Sequence, residues 1–124
     1  MRDGKHVVLC VDDDPDVLEY LRVVLEASNY VVATAASAEQ GVRVWRETRP
    51  DALIVDLMME EVDAGTNLVT ELRAVGNQAP VFMLSSTGDN LSRQVDTSAL
   101  GLAGVFQKPL DSDVLLSVLR ARLT

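Results

Sequence analysis

Five short apolar runs, separated by stretches with helical spacing, constrain this chain more than any other feature. His6–Val11 hardly alternates between apolar and polar residues, so it reads as a strand buried on both faces. Tyr30–Thr34, Ala52–Asp56, Pro80–Leu84 and Gly104–Gln107 supply four more strands. Asp14–Pro15 is a capping residue followed by proline at the first helical position, and Val17, Leu21, Val24 and Leu25 continue on one face. Ser37 and Gln40 have the form of a capping box, continued by Ala38, Val42 and Trp45. Leu68, Val69 and Leu72 predict a third helix ending near Gly76–Asn77. Leu91, Val95 and Ala99 predict a weaker one, poor in strong helix formers, and Asp111 caps a last helix carrying Val114, Leu115, Val118 and Leu119. Alternating strands and helices imply an α/β fold: a three-layer, doubly wound sheet of five parallel strands with helices on both faces. Of the two doubly wound orders, 2-1-3-4-5 fits five strands better.

Length and charge narrow the function. A chain of 124 residues that is 48% hydrophobic suits one compact domain, spanning 1–124. Its net charge of −8 opposes direct nucleic-acid binding, which needs a basic surface to replace phosphate counterions. The single Cys10 cannot form an intrachain disulfide, which suits a reducing compartment. No apolar stretch has the length of a membrane span and no signal-peptide core is present, so a cytoplasmic protein is expected.

In a doubly wound sheet, ligands bind outside the carboxyl ends of the strands. The first strand ends in Asp12–Asp13–Asp14, the third in Asp56, the fourth in Ser85–Ser86–Thr87 and the fifth in Lys108–Pro109. In the order 2-1-3-4-5 the first and fourth strands flank the third at about 4.8 Å, so Asp12, Asp13 and Asp56 should converge. Clustered carboxylates call for a compensating cation, and a hard divalent ion such as Mg²⁺ prefers oxygen ligands while keeping positions for water and phosphate oxygens. Lys108 starts about two strand spacings from Asp56, a distance its long stem can span.

Plainer roles also fit some of these residues. Asp14 alone reads as a helix cap, and a lone Lys108 could be a surface lysine. Cys10, Trp45, Phe82 and Phe106 read as core, and His6 receives no role. A nucleotide or flavin binder would need a glycine- or hydroxyl-rich first loop, where this chain has three carboxylates. A phosphatase of the haloacid dehalogenase type is a second alternative, because Asp12-x-Asp14 mimics its nucleophile pair. Pro15 departs from that pattern, and Asp56 would be left without a purpose.

Four motifs together resemble the receiver domain of two-component response regulators, with its CheY-like fold. They are Val11–Pro15 (with Asp12, Asp13 and Asp14), Val55–Met59 around Asp56, Met83–Ser86, and Lys108–Pro109–Leu110. The resemblance runs from Lys5 to the last helix. It implies that a phosphohistidine on a sensor histidine kinase or phosphotransfer protein donates to Asp56. It further implies that Asp13, Asp56 and the backbone carbonyl of Met58 bind Mg²⁺, with Asp12 acting through water. Ser85 would bond a phosphoryl oxygen, and Lys108 would hold the acceptor and then the phosphoryl group. Such a domain catalyses only its own phosphorylation and dephosphorylation. Its output passes to a downstream partner, and a homodimer is compatible with it. A binding-only pseudo-receiver would not need the complete Asp-Asp-Ser-Lys set. This chain differs from the usual pattern in carrying Glu60 and Glu61 where proline is common, one extra residue before Gly65, and Val105 at a switch position that is usually aromatic. Because Val105 is short and stiff, the moving part is expected to be the Ser85–Asn90 loop with the helix behind it.

Overall fold

Local hydrogen bonding decides where the apolar runs become strands. The computed structural model describes residues 4–56, 64–85, 102–107 and 110–123. The strands are β1 (Val7–Val11), β2 (Val31–Ala35), β3 (Ala52–Asp56), β4 (Val81–Ser85) and β5 (Gly104–Gln107). The helices are α1 (Pro15–Ala27), α2 (Ala38–Thr48), α3 (Ala64–Ala74) and α4 (Ser112–Leu123). β1, β2 and β4 begin one residue later than their apolar runs. Tyr30 gives its N–H to the Leu25 carbonyl, closing α1 rather than starting β2. Pro80 has no N–H to donate, although its carbonyl accepts from Leu53 at 2.9 Å. The helix expected around residues 91–99 and the acidic loop with Glu60 and Glu61 lie outside the described residues.

All neighbouring strands run parallel, in the order β2-β1-β3-β4-β5 expected from the element pattern. Successive side chains of a strand alternate between faces, so the sheet separates two cores. One face combines Leu9, Val11, Leu53, Val55 and Met83 with Trp45 of α2 and Leu68, Val69 and Leu72 of α3. The other combines Val8, Cys10, Ile54, Phe82 and Leu84 with Leu21 and Leu25 of α1 and Leu115 and Leu119 of α4. β1, β3 and β4 are buried throughout, which accounts for their lack of alternation. Gly41 allows α2 its close approach: a Cβ there would lie 3.1 Å from Leu68 Cδ2 and 3.4 Å from Val11 Cγ2.

The caps follow the sequence closely. Asp14 Oδ1 accepts from the Asp16 amide at 2.9 Å, and Asp111 Oδ1 accepts from the Asp113 amide at 2.9 Å. Ser37 Oγ accepts from the Gln40 amide at 3.1 Å, but Gln40 Oε1 reaches back to the Ala36 amide at 2.9 Å rather than to that of Ser37. The capping box is thus displaced by one residue. Val114 is a correction to the expected stripe of α4: it is 50% exposed, while Leu115 and Leu119, one turn apart, are buried. Among the described residues, no helix is long and apolar enough to cross a membrane.

Candidate functional site

Register brings the acidic residues together. Val11 of β1 pairs with Val55 of β3, so the next residues, Asp12 and Asp56, leave adjacent central strands side by side. Asp12 extends the β1–β2 ladder by one bond, its amide donating to the Ala35 carbonyl at 3.1 Å. The chain then turns sharply, and Asp12 Oδ1 accepts from the Asp14 amide at 2.9 Å. That turn leaves Asp12 buried and Asp13 exposed, while Asp14 is committed to capping α1. Ligand oxygens of Asp12, Asp13 and Asp56 all lie within 4.8 Å of one another.

This donor set suits a hard divalent cation. It consists of oxygen ligands only, two of them from buried carboxylates, which matches the preference of Mg²⁺ for carboxylate and water oxygens. Asp56 is 4% exposed and pairs in register with Leu84, so Ser85, 1% exposed, lies one position beyond it on β4. Ser85 in turn pairs with Gln107, the residue directly before Lys108. Met58 and Lys108 themselves lie outside the described residues. Val105 pairs with Met83 and is half-buried against the α2–α3 core.

Cys10, two residues before Asp12, takes no part in this chemistry. Burial, reinforced by the Asp12 charge and slightly relieved by Arg22, pushes its thiol up to about 12. A neutral buried thiol is a poor nucleophile and a poor metal ligand. Trp45, Phe82 and Phe106 are buried as expected of core residues. One contact had no local signal in the sequence: the Tyr20 hydroxyl of α1 donates to the Leu110 carbonyl at 3.2 Å, across 90 positions of chain.

Comparison with known proteins agrees with this geometry. The response regulator receiver domain profile matches residues 8–120. The transcriptional regulatory protein PrrA of Mycobacterium tuberculosis is 39% identical over 116 residues, covering 94% of this chain and 47% of PrrA. GlrR of Escherichia coli K12, also a transcriptional regulatory protein, is 36% identical over 108 residues, covering 87% of this chain and 24% of GlrR. The chain therefore spans half or less of these curated relatives. The chemotaxis protein CheY4 of Vibrio cholerae superimposes with a TM-score of 0.86 at 27% identity, covering 97% of this chain and all of that one. With a profile match across nearly all of its length, the sheet order of a CheY-like protein and an acidic cluster at the carboxyl ends of β1 and β3, the chain belongs to the receiver domain family of two-component response regulators.

Proposed function

We propose that this chain accepts a phosphoryl group on Asp56 from a phosphohistidine of a sensor histidine kinase or phosphotransfer protein, and that the modified form changes its contacts with a downstream partner. The observation that carries this reading is the convergence of Asp12, Asp13 and Asp56 within 4.8 Å at the ends of the two central strands. Mg²⁺ would be held by Asp13, Asp56 and the Met58 carbonyl, with Asp12 acting through water, and would neutralise charge on the phosphoryl oxygens. A carboxylate oxygen of Asp56 attacks phosphorus as the P–N bond of the phosphohistidine breaks. The electron pair leaves on the imidazole nitrogen, which takes up a proton. Ser85 donates a hydrogen bond to one phosphoryl oxygen and Lys108 supplies a positive charge to another. The turn closed by Asp12 fixes the backbone that carries Asp13, so that this ligand is positioned before the donor arrives.

The product is an acyl phosphate, which hydrolyses readily and returns the switch to its resting form. The chain thus acts on itself and turns over no free substrate. A cytoplasmic setting fits its single, buried Cys10 thiol. The names of PrrA and GlrR attach transcriptional regulation to those proteins. Here, the charge of −8 favours a protein partner for the receiver itself over direct contact with nucleic acid. The haloacid dehalogenase reading draws no support from the family match, and it would need Asp12, whose Oδ1 is already engaged by the Asp14 amide, as nucleophile.

Acetyl phosphate with Mg²⁺, followed by intact mass, tests the proposal. A single adduct of about 80 Da, lost in Asp56→Asn with the fold retained, is the expected result. An adduct that persists in Asp56→Asn and maps to Asp12 would overturn it.

A further inference from the structure

We infer that Asp14 is a positioning residue for Asp13, fixing the backbone from which that exposed carboxylate reaches the acidic cluster. The inference rests on the Mg²⁺-binding role given to Asp13 above. The clustered carboxylates are not held alike. Asp12 and Asp56 are 0% and 4% exposed, so the packed ends of β1 and β3 fix their direction. Asp13 is exposed, yet its ligand oxygen lies within 4.8 Å of the other two. Without packing around it, such a side chain takes its direction from the backbone that carries it.

Asp14 holds that backbone through its amide, its carboxylate and its carbonyl. The amide donates to Asp12 Oδ1 at 2.9 Å, which ties Asp14 back to the end of β1. Asp14 Oδ1 accepts from the Asp16 amide at 2.9 Å, and the Asp14 carbonyl accepts from the Leu18 amide at 3.2 Å, so the residue is also tied forward into α1. Pro15 adds a constraint, because a following proline favours the extended backbone that Asp14 adopts at φ −91° and ψ 111°. On the other side of Asp13, the Asp12 amide is bonded to the Ala35 carbonyl at 3.1 Å. Asp13 is thus the one residue between an anchored strand end and an anchored helix start. Ser37 and Asp111 cap α2 and α4 through the same kind of bond, but neither adjoins a member of the cluster. Loosening a group that orients a metal ligand typically lowers metal affinity about 10–100-fold.

Asp14→Ala removes the cap, whereas Asp14→Asn removes the charge and keeps a side-chain oxygen for capping. Titration calorimetry should show Mg²⁺ binding about tenfold weaker for Asp14→Ala, and within about twofold of the unaltered protein for Asp14→Asn. Ser37→Ala, which takes an equivalent cap from α2, should also stay within about twofold. Should Asp14→Ala not fold, Asp14→Gly removes the same oxygen at a smaller cost to the helix and is read in the same way. Equal weakening by Asn and Ala would assign the effect to charge. Weakening by Ser37→Ala as large as that by Asp14→Ala would assign it to general loosening of the fold, and no weakening by Asp14→Ala would leave Asp14 a helix cap alone. Each of these results would overturn the inference. An unaltered protein that binds no Mg²⁺ would overturn the metal reading itself, and this inference with it.

Discussion

The two ends of the sheet handle their polar groups in opposite ways. At the amino ends, complementary groups meet. Asp51 Oδ2 accepts from the Val7 amide at 2.7 Å. Trp45 Nε1 donates to Asn77 Oδ1 at 3.0 Å, and the Arg49 guanidinium sits 4.4 Å from the Trp45 ring centroid. At the carboxyl ends, three carboxylates of like charge converge instead. The first arrangement is what stability favours, since each partner compensates the desolvation of another. The second opposes stability unless a cation joins it. A fold this short has little stability to give up, so a pole where like charges gather points to chemistry, and a pole of complementary groups points to architecture.

If that contrast is right, substitutions at the two poles should separate stability from phosphorylation. The largest stability effect is expected for Trp45→Ala, which empties a buried site and removes one of the two donors to Asn77 Oδ1, the Ala79 amide being the other. It should cost about 3–5 kcal/mol in urea unfolding, while the fraction that remains folded still labels with acetyl phosphate. Loss of labelling by folded Trp45→Ala would break the contrast by coupling the amino end to the site. Next comes the metal. With Mg²⁺ about a hundredfold above its dissociation constant, binding to the folded state alone should add about 2.7 kcal/mol and raise the melting temperature. Asp13→Asn should stabilise the metal-free protein and blunt the Mg²⁺ response. A metal-free Asp13→Asn that melts lower than the unaltered protein would show that the acidic pole is not strained.

Asp51→Ala should have a smaller effect, on the order of 1 kcal/mol, because the Val7 amide loses its acceptor in a half-buried setting. The labelling rate should stay unchanged, and a stopped-time mass assay checks it. The smallest expected effect is none. Val105 is β-branched and half-buried against the Met83 side of the core, so its methyl rotamer should not change when beryllofluoride binds. Amide exchange across residues 85–101 should slow instead, as expected of a switching segment rich in weak helix formers such as Ser92, Asp96, Thr97 and Ser98. A Val105 rotamer change with unaltered exchange would return the switch to β5.

The sequence by itself determined what repeats at short range and what faces one direction along a strand. Apolar runs without alternation specified buried parallel strands, and Asp14, Ser37 and Asp111 marked helix starts because a cap bonds within its own turn. Asp12, Asp13 and Asp56 were legible as a cluster because the strand order follows from the element pattern, and that order aligns the ends of β1 and β3. Only the tertiary structure decided how those carboxylates divide their roles, with Asp12 buried in the turn and Asp13 left exposed. It alone exposed Val114 by choosing Leu115 and Leu119 to face the sheet. It also supplied the Asp51–Val7 bond across 44 positions and the Tyr20–Leu110 bond across 90. Sequence periodicity carries no trace of such pairs. The first exists because β1 and β3 are neighbours in the sheet and the second because α1 and α4 pack on the same face of it, and such packing between distant segments is a property of the assembled core.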